Sequence, residues 1–168
     1  MDYDEITEIA NELQRKYETR NPFAISRVLN IHVLKRDNFT ELKGMYRVIK
    51  RSRFIFINSN LNETLQKIVC AHELGHDMLH RDLASKDTLH EYDLYRIENK
   101  TELEANVFAS ELLIDTDELL ELIKTGLSAE QLSRAMYTDI NLLAIKVRTL
   151  IIQGYKFRPL EFKSGFLA

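Results

Sequence analysis

The segment 68–80 of this 168-residue chain constrains the fold most, because it sets three histidines and a glutamate in an apolar, helix-compatible run. His72, Glu73 and His76 form the pattern H-E-x-x-H, and Asn62 can cap the start of a helix. Four helical residues turn the chain by about 40° beyond one full turn and rise about 6 Å, so the two imidazoles lie one above the other. The sequence therefore predicts a helix whose two histidines can bind one metal ion.

The glutamate of this pattern has its own expected role. Glu73 follows the first histidine directly, so it lies beside the ion and is the expected general base. Zn²⁺ suits two imidazoles and one carboxylate, and three protein ligands leave a fourth position for water, whose pKa then falls to about 7. The pattern has only three fixed positions, so the prediction of a zinc site depends on a third ligand.

A second helix, predicted over residues 101–113, offers carboxylates for the third ligand position. Glu102 is the preferred candidate, because Asn106, one turn later, can hydrogen-bond a ligating histidine and orient its ring. Glu104 is the alternative ligand. It could equally be a solvated carboxylate or the partner of Thr101 in a capping box. The choice between the two glutamates stays open at this point.

Two runs of sequence carry a family resemblance. The run A-H-E-L-G-H at 71–76 is followed by E-L-E-A-N-V-F-A-S-E-L-L at 102–113. Together they resemble the ImmA/IrrE family of HExxH metallopeptidases, and the resemblance extends loosely over residues 23–151. It implies a zinc protease with His72, His76 and Glu102 as ligands and Glu73 as base. The chain departs from the family in having Ile-Asp at 114–115, where Met-Pro is frequent.

The resemblance also implies a substrate. The best understood members of the family are intracellular proteases that act on a repressor with a helix-turn-helix DNA-binding domain. Some belong to prophages or mobile elements, and others serve DNA-damage responses. The expected function is therefore zinc-dependent cleavage of such a repressor. Two alternatives stay open: a metal-bound adaptor that dislodges the repressor without cutting it, and a DNA-binding regulator that uses residues 128–153.

Charge and hydropathy narrow the classes of function. The formal net charge of −3 argues against direct nucleic-acid binding and favours a protein partner. The start of the chain lacks the basic and apolar regions of a secretory signal, and the apolar stretch 142–152 is interrupted by Lys146 and Arg148. Cys70 is the single cysteine, so no intrachain disulfide can form and a buried thiol is expected. These features predict a cytoplasmic protein without a membrane segment.

Periodicity and capping residues predict the remaining elements. Further helices are predicted at 2–20, 22–29, 115–124, after the Ser128–Gln131 capping box, and at 140–153. Short strands are predicted at 31–34, 45–49 and 54–57. The expected fold is α+β, with a small antiparallel sheet packed on a helical bundle that carries the HExxH site. We expect a metallopeptidase domain over 1–126 and a helical C-terminal region over 127–168, packed on the same domain.

Three further features belong to the predicted cleft. In HExxH proteases of this architecture, which the chain resembles, an edge strand receives the substrate backbone, but the sequence does not identify that strand. His80 is interpreted as a helix-end residue or as a residue that supports a metal ligand, because an ideal helix places it about 80° and about 12 Å from His72. Tyr92 and Tyr95 are candidates for hydrogen bonding the oxyanion that develops during peptide hydrolysis.

Overall fold

The computed structural model describes residues 1–84, 89–91 and 100–157. Within these ranges the helices are α1 (Tyr3–Tyr17), α2 (Pro22–Val28), α3 (Glu63–Leu79), α4 (Arg81–Ala84), α5 (Lys100–Leu113), α6 (Thr116–Lys124), α7 (Ala129–Ala135) and α8 (Ile140–Ile152). The strands are β1 (Ile31–Arg36), β2 (Gly44–Ile49), β3 (Ser52–Asn58) and β4 (Leu89–Glu91). The predicted α+β class is confirmed. The predicted oxyanion candidates, Tyr92 and Tyr95, lie outside the described residues.

Side-chain caps fix several of the predicted helix starts. The Asn62 side chain accepts a hydrogen bond from the backbone N–H of Leu65 at 2.9 Å, at the start of α3. Ser128 and Gln131 form a reciprocal capping box before α7, and Asp139 caps α8. Each cap satisfies a backbone N–H that has no partner within its own helix. None of the helices in the described ranges has both the length and the apolar character needed to cross a membrane.

The sheet has the strand order β1-β3-β2-β4 and is mixed. β2 runs antiparallel to both β3 and β4, whereas β1 pairs parallel with β3. The expectation of an antiparallel sheet is therefore wrong for the β1–β3 pair. Lys50 and Arg51, with φ of 47° and 68°, form a two-residue hairpin turn that pairs β3 with β2. β1 therefore lies on the other side of β3, where the two strands run in the same direction.

Helix α3 lies between the sheet and α5, and the whole stretch from Ile68 to Asp77 is buried. A helix segment buried on every side has no solvent face, so its polar side chains need partners from neighbouring elements. Cys70 lies in this stretch and is buried, as expected. Burial raises the pKa of the Cys70 thiol above its ordinary value, which keeps the thiol protonated at neutral pH.

Close packing of α3 against α5 depends on Gly75. A Cβ at this position would lie 3.0 Å from Phe108 Cδ1 and 3.2 Å from the backbone of Ala105. Because these distances are shorter than ordinary carbon contacts, a larger residue would push the two helices apart. The glycine thus lets the face of α5 that carries Glu102 and Asn106 approach the histidine face of α3.

Helix α8 packs on α5 through a buried ion pair. Lys146 Nζ lies 2.6 Å from Glu111 Oε2, and both side chains are 1% exposed. Burial lowers the pKa of Lys146, and the attraction of Glu111 opposes this shift. The C-terminal helix therefore contacts the helix that carries Glu102. The predicted domain boundary after residue 126 stays a prediction.

Candidate metal centre

Two histidines of α3 and one glutamate of α5 bring potential ligand atoms together. His72 Nε2 lies 3.1 Å from His76 Nε2 and 3.2 Å from Glu102 Oε2. His76 Nε2 lies 3.5 Å from the same carboxylate oxygen. In the part of the chain that the structure describes, these side chains form the one group of three that could hold a metal ion, with ligand atoms within 4.8 Å of one another.

Helix geometry accounts for this convergence. The spacing of four residues places His72 and His76 on successive turns of α3, with ring centroids 4.7 Å apart and nearly perpendicular planes. Glu102 lies in the first turn of α5, and Asn106 lies one turn later on the same face. The interhelical contact at Gly75 then joins the two faces.

Asn106 contacts the His72 ring nitrogen that does not face the other candidate ligands. The Asn106 Oδ1 atom lies 3.0 Å from His72 Nδ1, and both side chains are buried. If His72 Nδ1–H donates to this amide oxygen, the lone pair of Nε2 is directed at the candidate metal site. The structure contains the contact that the sequence predicted. The role of Asn106 in orienting the ring stays a prediction.

The protonation states of His76 and Glu102 suit a cation. Burial lowers the pKa of His76 to about 4, although its contact with Glu102 opposes the shift. Burial alone would raise the pKa of Glu102, but its contacts with His72 and His76 outweigh this effect and hold the pKa below its ordinary value. Neutral imidazoles and an ionised carboxylate are the forms that bind metals. The donor set therefore fits a divalent metal ion.

Glu73 lies against the backbone of β2. A Cβ on Gly44 would lie 2.6 Å from Glu73 Oε1 and 2.4 Å from Val69 Cγ1, so only glycine leaves room for the buried carboxylate. Sequence reasoning missed this contact, because an isolated glycine beside a strand also marks a turn or a bulge. The close approach fixes the strand beside the predicted general base.

The alternative ligand Glu104 lies outside the group of three. Its Oε2 atom is 2.8 Å from His80 Nε2, and its Oε1 atom is 2.6 Å from the amine of Met1. His80 is the C-cap residue of α3, which confirms its predicted place at the helix end, and its Nδ1 lies 3.1 Å from His76 Nδ1. The structure therefore places Glu104 behind His76, next to His80.

Asp77, the residue after His76, contacts the sheet side of the fold. Its buried carboxylate accepts hydrogen bonds from Tyr46 Oη at 2.5 Å, Arg53 Nη1 at 2.9 Å and Arg81 Nη2 at 2.9 Å. Burial and the contact with Asp77 raise the pKa of Tyr46, so its hydroxyl stays a donor. These contacts fix the rotation of α3 on the sheet. These contacts could not be predicted from the sequence, because an aspartate near a helix end is usually solvated.

Comparisons with known proteins agree with these observations. Residues 26–148 match the peptidase M78 family model, described as the IrrE N-terminal-like domain. The chain is 31% identical over 121 residues to Metallopeptidase ImmA of Bacillus subtilis (strain 168), across 71% of this chain and 70% of that protein. It is 40% identical over 112 residues to Uncharacterized immunity region protein 2 of Bacillus phage phi105, across 67% of this chain and 70% of that protein. The predicted resemblance is confirmed, and the chain belongs to the ImmA/IrrE family of metallopeptidases.

Proposed function

We propose that this protein is a zinc-dependent endopeptidase with His72, His76 and Glu102 as metal ligands and Glu73 as general base. The observation that carries the proposal is the convergence of two imidazole nitrogens and one carboxylate oxygen within 4.8 Å. Burying these polar groups together costs free energy unless a partner compensates for their lost hydration. A zinc ion compensates for that loss, and this donor set is one that zinc prefers in catalytic sites.

The side chains of the site would divide the work of peptide hydrolysis. When bound, zinc would polarise the scissile carbonyl and lower the pKa of water at the site. Glu73 would take a proton from the attacking water and deliver it to the leaving amine. Its contact with Gly44 restricts the carboxylate to a narrow position beside His72. Asn106 would hold the His72 ring with its Nδ1 protonated.

The substrate backbone would pair with β4. In the described sheet, β1 and β4 are the edges, and β4 is the edge next to β2. Gly44, which contacts Glu73, lies opposite Glu91 of β4 in the strand register. An extended peptide added to β4 would therefore run along the side of the sheet that carries the base. Main-chain hydrogen bonds would supply much of the binding energy, so the demand on substrate side chains is modest.

In this proposal the substrate is a cytoplasmic repressor with a helix-turn-helix domain. The family resemblance supports it, as does the relative named for a phage immunity region. Cleavage would release genes of a prophage or mobile element, or genes of a DNA-damage response. The alternative of DNA readout by residues 128–153 loses support, because Lys146, one of two cations on its second helix, is buried against Glu111.

Incubation with a candidate repressor tests the proposal. Purified protein with zinc is mixed with candidate helix-turn-helix repressors from the same organism, and the products are identified by mass spectrometry. We expect cleavage by the wild type and none by Glu73→Gln, which should still contain about one zinc per chain because the base is not a ligand. Glu63→Gln is the matched control, since this exposed glutamate lies in the first turn of the same helix.

Two outcomes would contradict the proposal. If Glu73→Gln releases the repressor from DNA as well as the wild type does, and neither protein cuts it, the protein is a non-cleaving adaptor. Elemental analysis supplies the second outcome. Wild-type protein that lacks metal after purification without chelators, or equal metal in wild type, His76→Ala and Glu102→Ala, would overturn the assignment of the ligands.

A further inference from the structure

We propose that His80 and Glu104 are positioning residues that hold the His76 ring from behind, through the nitrogen that does not face the metal centre. The inference rests on the proposed function, because it takes His76 as a metal ligand. It gives Glu104 a role different from that of the alternative third ligand considered from the sequence.

A chain of buried contacts runs from α3 to α5. His76 Nδ1 lies 3.1 Å from His80 Nδ1, and His80 Nε2 lies 2.8 Å from Glu104 Oε2. The three residues are 2%, 6% and 8% exposed, in that order. Both distances are those of hydrogen bonds, and burial keeps bulk water from replacing either one.

The backbone at the end of α3 explains why His80 reaches the back of His76. A third histidine at the same helical spacing would continue along the helix face and away from the centre. His80 instead leaves helical geometry, with φ of −131° and ψ of 21°. Its ring centroid lies 5.3 Å from that of His76, with the planes tilted by 53°. The end of the helix therefore places this imidazole beside Nδ1 of the proposed ligand.

One arrangement of protons gives each ring nitrogen of His76 and His80 a defined role as donor or acceptor. His76 turns Nε2 toward His72 and Glu102, so a metal-binding His76 carries its proton on Nδ1. His80 Nδ1 accepts that N–H, and the proton of His80 is then on Nε2, where it donates to Glu104. The carboxylate thus selects the His80 tautomer, and His80 selects the His76 tautomer.

The two proposed histidine ligands are held by different partners. His72 Nδ1 contacts the neutral amide of Asn106 at 3.0 Å, whereas His76 Nδ1 contacts an imidazole that has a carboxylate behind it. A partner that accepts the second N–H of a ligating imidazole fixes its orientation and raises the basicity of its metal-binding nitrogen. Both effects favour metal binding by His76, and neither needs His80 or Glu104 to touch the ion.

Zinc affinity, measured by competition with a chromogenic chelator, tests the inference. We expect His80→Ala and Glu104→Ala to bind zinc about 10- to 100-fold more weakly than the wild type, as is usual when the partner of a metal ligand is lost. His80→Asn keeps an acceptor near the Nδ1 position, so its affinity should lie within about threefold of the wild type. His32→Ala removes an exposed histidine of β1 and is the control, with wild-type affinity expected.

The visible spectrum of the cobalt-substituted protein gives a second readout. The spectrum depends on ligand geometry, so it should shift in His80→Ala and return toward the wild-type spectrum in His80→Asn. A general loss of folding would not produce this rescue. If His80→Ala does not fold, Glu104→Ala carries the same comparison, because it keeps His80 and removes its acceptor together with the contact to the amine of Met1.

The failure of this inference is distinguishable from the failure of the proposed function. Wild-type zinc affinity and an unchanged cobalt spectrum in both His80→Ala and Glu104→Ala would overturn the inference and leave the zinc site intact. Wild-type protein that binds no zinc, or zinc affinity that survives His72→Ala, would overturn the proposed function and the inference with it.

Discussion

The two sides of α3 both bury charged groups, but they satisfy them in opposite ways. The sheet-side cluster consists of Tyr46, Arg53, Asp77 and Arg81. The α5-side cluster consists of His72, His76 and Glu102. In the sheet-side cluster, one carboxylate is surrounded by hydrogen-bond donors. In the α5-side cluster, the imidazole nitrogens face each other and a carboxylate oxygen.

This difference distinguishes a cluster that stabilises the fold from a cluster that is suited to bind a metal ion. A buried carboxylate that accepts hydrogen bonds from guanidinium and hydroxyl groups has both its charge and its hydrogen-bonding capacity compensated within the protein. Two imidazole nitrogens and a carboxylate oxygen that converge on one point form a donor set that suits a metal cation. His76 and Asp77 are adjacent in one helix, but they belong to two different clusters. Substitutions at these two positions should separate metal binding from stability.

The largest expected effect is the loss of zinc from His76→Ala. The substitution removes a proposed ligand, so zinc affinity should fall by more than the roughly 100-fold that follows the loss of a residue behind a ligand. The free energy of unfolding of the metal-free protein should fall by about 1 to 2 kcal/mol, because the lost ring is buried, and by less than in Asp77→Ala. Chelator competition and urea unfolding in chelator measure the two quantities. A large loss of metal-free stability would show that the α5-side cluster is structural.

Asp77→Ala should have the reverse pattern. It leaves Tyr46, Arg53 and Arg81 without their shared acceptor, and breaking a buried charged cluster costs about 3 kcal/mol of unfolding free energy. Zinc stoichiometry of the folded protein should stay near one, since all proposed ligands remain. Urea unfolding and elemental analysis check this pair of results. Loss of zinc without loss of stability would remove the distinction between the two clusters.

Gly44→Ala should reduce catalysis and leave zinc in place. The new Cβ would meet Glu73 Oε1 at 2.6 Å, and displacing a catalytic group by about 1 Å can cost up to about 100-fold in rate. We therefore expect kcat for repressor cleavage to fall about 10- to 100-fold. Arg47→Ala, on an exposed position of the same strand, is the control. Unchanged kcat would show that the strand can move away from Glu73 without consequence.

Arg81→Ala should have the smallest effect. Its side chain is 50% exposed, and its ion pair with Asp77 is partly screened by water. We expect a loss of less than about 1 kcal/mol of unfolding free energy, with zinc content and cleavage unchanged. Thermal or urea unfolding of Arg81→Ala, measured in parallel with Asp77→Ala, gives this loss of unfolding free energy. A loss as large as that of Asp77→Ala would mean that Arg81, rather than Arg53 and Tyr46, balances the carboxylate.

The parts of the site that depend on local spacing could be predicted from the sequence. The interval of four residues sets His72 above His76 in any helix, and the same interval sets Glu102 above Asn106. The helix starts could also be predicted, since a cap such as Asn62 acts on backbone groups within its own first turn.

The parts that depend on tertiary contacts could not be predicted. The parallel pairing of β1 with β3 depends on which strands are neighbours in the sheet. The alternation of side chains within one strand does not specify its neighbour. Glu104 could not be distinguished from Glu102, because its partner His80 lies on another helix. The burial of Lys146 could not be predicted either, because its partner Glu111 lies 35 residues away in the sequence.

The ion pair between Glu111 and Lys146 has a consequence for how the protein opens. Helix α5 carries Glu102 in its first turn and Glu111 in its last, so one rigid element joins the proposed metal centre to α8. We expect the two helices to open as one cooperative unit in native-state amide exchange, because buried apolar side chains of both belong to the same core cluster. A metal ion held by Glu102 would then slow exchange in α8, at the opposite end of the helix that binds it.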